Sequence, residues 1–318
     1  MIIKFLLALL PLLPAQAARA GAELVFYDSI EMNSAGEAVL KGGVYKQPVS
    51  ANKGAQEIAA PMPVDGLYHM RFVADAQSMA RAHEYADLLL GHPAFASVSG
   101  RFRIEYVQGD ADLMKCGNTV PQSPRIITCD KQYILSLGTV PVHMTAVFTS
   151  RGSGGSGGAV PIVSIDYPLP VMLHEMLHAW TLQDEYTYSD SEAAYYCNNP
   201  RILKSPNTTS FAAQETYQSD AEALSANRNN IPWADSIRLP VTTSSATASG
   251  AALVLGTPQT TETAGMEPGL YSGSNCSRKM PSFRPYNVDT IMKTLSTTLI
   301  PPIHQKAVLA EIARVAGW

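Results

Sequence analysis

The sequence predicts an α/β or α+β fold, and three observations carry that expectation. Between Ser78 and Leu90 the residues Met79, Ala82, Tyr85, Ala86 and Leu89 recur at helical spacing, with Gly91 as a stop. Short apolar strand candidates follow that segment, beginning with Phe102 to Val107. The chain closes with an amphipathic stretch, Ile303 to Val315, introduced by Pro301-Pro302, in which Ile303, Ala307, Leu309, Ala310 and Ile312 can face a core.

Taken in order, residues 1–20 read as a secretory signal. Lys4 supplies the positive start, Phe5 to Leu13 the apolar run, and Ala15-Gln16-Ala17 or Ala18-Arg19-Ala20 a small-residue cleavage site. Pro11 and Pro14 argue against a buried helix, and the run is too short to span a bilayer. The expected location is secreted or periplasmic, with no membrane anchor once the signal is removed.

Residues 21–65 read as a small N-terminal β segment, with strands at Leu24 to Tyr27 and Ala38 to Tyr45 around the turn Asn33-Ser34-Ala35-Gly36. Residues 66–318 form the main domain. Within it Val140 to Thr149 and Val160 to Asp166 are further strand candidates, separated by a Gly/Ser run from Arg151 to Gly158. That run lacks a Walker lysine and reads as a flexible loop, which could border an active cleft. Residues of about 200–275 form a loop-rich subdomain, with Trp233 and Leu253-Val254-Leu255 as its core-forming islands.

The formal charge is −4, from 23 basic and 27 acidic residues scattered along the chain, so nucleic acid is not an expected partner. Four cysteines in an exported chain favour two disulfides. Cys116–Cys129 and Cys197–Cys276 is the expected pairing; the sequence leaves the other two connectivities open.

The chemistry is carried by His174-Glu175-Met176-Leu177-His178, which follows the helix-opening prolines Pro168 and Pro170. On a helix, positions i and i+4 share a face, so His174 and His178 can converge on one zinc ion, with Glu175 beside them as general base. Such a device activates water for attack on a carbonyl, and peptide hydrolysis is its natural reaction. A catalytic zinc needs a third protein ligand. Asp184, six residues after His178, is the expected one, with Glu185 as the alternative.

These residues resemble the metzincin signature H-E-x-x-H-x-x-G-x-x-H, in the form that ends in Asp. Thr181 stands where that family turns on glycine. Asp289-Thr290-Ile291-Met292-Lys293-Thr294 resembles the methionine turn that floors the metal in metzincins, with Met292 as the floor. More specifically, the chain resembles the IgA-peptidase-like family of bacterial metzincins. That likeness also draws on Gly269-Leu270-Tyr271-Ser272-Gly273 and Phe283-Arg284-Pro285 and covers most of Phe72 to Trp318. The resemblance implies an α+β metzincin fold: a twisted mixed sheet carrying the active-site helix, above a loop-rich lower subdomain with the methionine turn.

Thr294 stands where some metzincins place an oxyanion-stabilising tyrosine, so Tyr186, Tyr286 and Arg284 are candidate donors instead. The expected function is a secreted zinc endopeptidase with a protein or peptide substrate. Two alternatives stand beside it. One is a scaffold that grips protein or glycan through Tyr186, Tyr188, Tyr195 and Tyr196 without cutting, and the other is a zinc hydrolase of a non-peptide bond.

Overall fold

The structure, a computed structural model, describes residues 65–119, 126–138, 140–247, 250–259 and 265–318, together with the backbone of three N-terminal strands. The expected signal, residues 1–20, lies outside the described residues. Those strands are β1 (Leu24–Phe26), β2 (Ser29–Met32) and β3 (Ala38–Lys41). β2 and β3 pair antiparallel, Met32 opposite Ala38, and the expected turn between them lies outside the described residues. β1 does not join them; it pairs with a strand of the main domain.

That domain is mixed α+β. Its first strand, β4 (Tyr68–Ala74), is buried along its whole length and leads into α1 (Met79–Gly91), in which Ala82, Tyr85, Ala86 and Leu89 of the helical stripe are buried and Met79 is half-buried. β5 (Phe102–Gln108) follows, then two short helices, α2 (Ala111–Met114) and α3 (Lys131–Ser136). The chain continues through β6 (Met144–Thr149), β7 (Gly155–Ser156) and β8 (Ile162–Ser164) into α4 (Leu169–Ala179). The strands assemble in the order β1-β5-β4-β6-β8-β7. β5, β4, β6 and β8 are mutually parallel, while β1 and β7 run antiparallel at the two edges.

Because strand side chains alternate between faces, β4 feeds two cores. Met70, Phe72 and Ala74 enter the larger one, with Tyr85 and Leu89 of α1, Met176 and Leu177 of α4, and Val308 and Ile312 of the C-terminal helix. Val73 enters a smaller core on the other face, with Val107, Val147, Ile162, Met114 and Ile134. A parallel sheet must be covered on both faces, and here α1, α4 and the C-terminal helix cover one while α2 and α3 lie on the other. α4 is fixed by two polar contacts as well: Trp180 Nε1 donates to the Tyr68 hydroxyl at 2.9 Å, and the Tyr85 hydroxyl meets Met176 Sδ at 2.8 Å.

The C-terminal helix, Pro302–Ala316, starts at the expected prolines, but its buried stripe differs from the expected one. His304, Val308 and Ile312, at i, i+4 and i+8, face the core, and Ala310 is exposed. A polar residue at 304 hid this register from an apolar count. Trp233 is buried in a third core with Tyr217, Leu270 and Phe283, and Leu253–Leu255 belongs to a hairpin, Thr242–Thr247 with Gly250–Leu255.

Both disulfides form as paired above, Cys116–Cys129 within the smaller core and Cys197–Cys276 across a separation of 79 residues. In the chain-entropy picture the longer closure contributes more, roughly 4 kcal/mol against 3. Among the described residues, no helix is long and apolar enough to cross a membrane.

Candidate metal centre

α4 begins where Pro168 and Pro170 allow it, and it sets His174 and His178 one turn apart. Each ring is oriented through Nδ1, which faces a backbone carbonyl: that of Ile291 for His174, at 2.8 Å, and that of Leu182 for His178, at 3.0 Å. A carbonyl only accepts, so each imidazole donates from Nδ1 and turns Nε2 inward, the atom that can bind a metal once it carries no proton. The two Nε2 atoms stand 3.1 Å apart, with the rings at 89° to each other. Asp184 Oδ1 completes a triangle, 3.1 Å from one Nε2 and 3.4 Å from the other.

Three donor atoms this close repel one another unless a proton or a metal cation lies among them. The edge of a tetrahedron with ligand distances of about 2.0–2.1 Å is about 3.3 Å, so the triangle fits one face of a tetrahedral metal shell. His174, His178 and Asp184 are therefore a group that could hold a metal ion.

Asp184 reaches this position through the turn that ends α4. Thr181 N–H donates to the His178 carbonyl at 3.1 Å and Leu182 N–H to the Leu177 carbonyl at 2.9 Å. This is a Schellman ending, which needs a left-handed residue between the two donors' partners and the returning chain. Thr181 fills it with φ +84°. The glycine position of the resembled signature thus keeps its left-handed turn on a β-branched residue, at a strain of about 1–3 kcal/mol.

Beyond the turn, Asp184 Oδ2 accepts the Tyr188 hydroxyl at 2.8 Å, leaving Oδ1 to the histidines. Glu185, the alternative third ligand, stands outside the cluster. Its carboxylate is fully buried, accepts the Thr290 hydroxyl and lies 2.8 Å from His304 Nε2 of the C-terminal helix.

The triangle opens on a cleft of about 780 Å³ that Glu175, half-buried, also lines. One wall is the Gly/Ser run, 154–158; Tyr186, Tyr188, Tyr196 and Ile202 line it as well, with Ile291 and Lys293 to Leu295. The run borders the cleft as expected, but Gly155–Ser156 is an edge strand rather than a free loop. Its glycines reflect close approach. A Cβ on Gly155 would fall 2.7 Å from Glu175 Oε1, and one on Gly157 would fall 2.7 Å from His178 Cβ.

The electrostatics follow the geometry. Burial pulls the His178 imidazole down, but the Asp184 and Glu175 carboxylates and the Leu182 carbonyl together outweigh it and hold its pKa up to about 9 when no metal is bound. Burial raises the Asp184 carboxyl, and the His178 and His174 rings overcome that and leave it well below the usual carboxylate range. Burial, reinforced by the Asp184 charge, pushes the Tyr188 phenol up, so it remains a donor.

Of the candidate oxyanion donors, Tyr186 lines the cleft. Tyr286 and Arg284 do not: Tyr286 is fully buried and its hydroxyl accepts the Ile303 N–H, while Arg284 donates to the carbonyls of Tyr286 and Ser272. Met292 is fully buried in the main core. Its turn grips the site through two carbonyls, Ile291 to His174 Nδ1 and Met292 to Glu185 N–H at 2.8 Å.

Tyr188 acts on Asp184, a role the sequence reading did not assign, although a tyrosine four residues beyond a carboxylate ligand is a usable signal. Asn207 and Thr290 left no local trace, since their contacts with the ligand segment span 22 and 105 residues. No protein-family model matches this chain, and no curated protein matches it either.

Proposed function

We propose that this protein is a zinc-dependent endopeptidase of the metzincin kind, close to the IgA-peptidase-like family, exported to an oxidising compartment. The observation that carries the proposal is the triangle of His174 Nε2, His178 Nε2 and Asp184 Oδ1 at 3.1–3.4 Å, open to a cleft beside Glu175. Two imidazoles and one carboxylate are a donor set of the catalytic zinc type, with three protein ligands and room for a fourth. The mixed sheet, the left-handed residue at 181 and the buried Met292 under the ligand turn agree with a metzincin framework. Two disulfides and the signal-like residues 1–20 agree with export.

When bound there, zinc supplies Lewis acidity that polarises the scissile carbonyl and acidifies a water towards a pKa of about 7. The chain's own residues do the rest. His174 and His178 keep their protons on Nδ1 and so present Nε2 as ligands throughout. Glu175 takes the proton of the attacking water as its oxygen adds to the carbonyl carbon, then returns that proton to the amine as the C–N bond breaks. Tyr186 is the side chain at hand for the developing oxyanion. The edge strand Gly155–Ser156 offers backbone groups along the cleft, which suits an extended peptide added as a further strand.

The tyrosines of the cleft leave a second reading, a non-cutting scaffold that grips protein or glycan. It is weakened by Tyr188, whose hydroxyl is committed to Asp184. Zinc content and casein hydrolysis, measured side by side, separate the two. The wild type should hold about one zinc and cut, Glu175→Gln should keep the metal and stop cutting, and Asp184→Ala should lose the metal. Zinc without cleavage of any protein favours the scaffold or a zinc hydrolase of a non-peptide bond, and a wild type that binds no zinc overturns the peptidase reading.

A further inference from the structure

The segment that carries Asp184, residues 181–185, belongs to no helix or strand, so its backbone polar groups need partners from elsewhere. Asn207 provides those of Gln183. It is fully buried, and its side-chain amide engages Gln183 on both sides. The Gln183 N–H donates to Oδ1 at 2.8 Å, and Nδ2 donates to the Gln183 carbonyl at 2.7 Å. The same Nδ2 reaches Glu185 Oε1 at 3.2 Å. The Ser205 hydroxyl donates to Oδ1 at 3.1 Å, and the Gln183 N–H, which can only donate, fixes that end of the amide as oxygen. One side chain therefore grips the residue before the ligand and the residue after it.

Glu185 extends the grip. Its N–H donates to the Met292 carbonyl, its carboxylate accepts the Thr290 hydroxyl, and His304 Nε2 lies 2.8 Å from Oε1. The ligand turn is thereby joined to the 289–294 turn, which also orients His174 through Ile291. We propose that Asn207 is a positioning residue of the metal centre, whose amide, bracketing Gln183 and Glu185, sets where Asp184 Oδ1 stands relative to the two histidine Nε2 atoms. The proposal rests on the reading of His174, His178 and Asp184 as metal ligands. It also gives a role to the Asn207-Thr208-Thr209 sequon: the amide faces the protein interior with its hydrogen bonds made, so it is no glycan acceptor in the folded chain.

A metal site tolerates only about ±0.2 Å in its ligand distances, so a loosened 183–185 backbone should be read by the metal before it is read by the fold. Asn207→Ala is compared with wild type by circular dichroism, by Zn2+ affinity in chelator competition, and by the visible spectrum of the Co2+-substituted protein. A folded Asn207→Ala should bind Zn2+ about 10–100-fold more weakly and show a shifted or weakened cobalt spectrum. Asn207→Asp, which keeps an oxygen for the Gln183 N–H and removes the Nδ2 donor at nearly constant volume, decides the matter if Asn207→Ala does not fold, and should weaken Zn2+ binding several-fold. Wild-type affinity and an unchanged cobalt spectrum in a folded variant overturn the positioning role while the metal reading stands. Absence of Zn2+ and Co2+ binding in the wild type overturns both, which keeps the two failures distinct.

Discussion

The Tyr188 hydroxyl donates to Asp184 Oδ2 at 2.8 Å, and that single bond decides which carboxylate oxygen faces the histidines. Without it Asp184 can rotate about its Cβ–Cγ bond and offer either oxygen, or both. Tyr188→Phe keeps the ring packed against Tyr186 and Tyr196 and deletes only the hydroxyl. Removing such an outer partner typically costs a metal site 10–100-fold in affinity. We expect about a tenfold loss of Zn2+ affinity, with unchanged secondary structure, measured by chelator competition and circular dichroism. Undiminished affinity would mean that packing alone orients Asp184.

Thr181 sits at φ +84°, a conformation that glycine adopts freely and a β-branched residue does not. Thr181→Gly relieves strain of about 1–3 kcal/mol in the native state but adds backbone freedom to the unfolded one, worth up to about 1 kcal/mol the other way. Strain should win. The variant is expected to melt about 2–4 °C higher by differential scanning calorimetry, with zinc content unchanged, because the Schellman bonds that aim the chain at the metal are backbone bonds. A lower melting temperature would show that the threonine side chain earns its place through packing.

Gly155 and Gly157 make separable predictions because they press on different residues. A methyl on Gly155 meets Glu175 Oε1, and a methyl on Gly157 meets His178 Cβ and Cδ2. Gly155→Ala should therefore lower kcat while the metal stays, and Gly157→Ala should lower zinc content along with activity. Gly100→Ala, where the new methyl meets open space, serves as the control and should change neither. Zinc analysis and peptidase rates on the three variants test the pattern; equal losses at 155 and 157 would point to general disruption of the edge strand.

The parts of this molecule that the sequence made legible are those with local signatures. The i, i+4 histidines, the glutamate between them, an aspartate six residues on and the stripe of α1 all depend on spacing within a turn or two. What stayed hidden depends on long-range contact. Nothing near Leu24 announces that β1 pairs with β5, Leu24 opposite Val107. The Gly/Ser run has the composition of a flexible loop, and only the proximity of α4 turns its glycines into clearance for Glu175 and His178. Glu185 has the same chemistry as its neighbour Asp184, yet it meets His304, 119 positions further along the chain. His304 was in turn missed as a buried position because an apolar count skips it.

Metal binding should depend on pH in a way that the metal-free centre dictates. With no metal, His178 holds a proton up to about 9, above its ordinary 6.5, while the Asp184 carboxyl is held well below 3.8. The raised histidine contributes stability that is complete below about 6.5 and is lost as pH rises through about 9; the lowered carboxylate contributes above 3.8 and loses it as pH falls. The metal-free protein therefore gains most from this pair between those limits, at mildly acidic pH. Zinc must displace the proton from His178, so its affinity should rise about tenfold per pH unit up to about pH 9 and then level off. Chelator-treated and zinc-loaded protein should differ little in melting temperature at pH 6 and increasingly towards pH 9. A gap that does not change with pH would mean that His178 gives up no proton on binding, and so that it is already neutral in the metal-free centre.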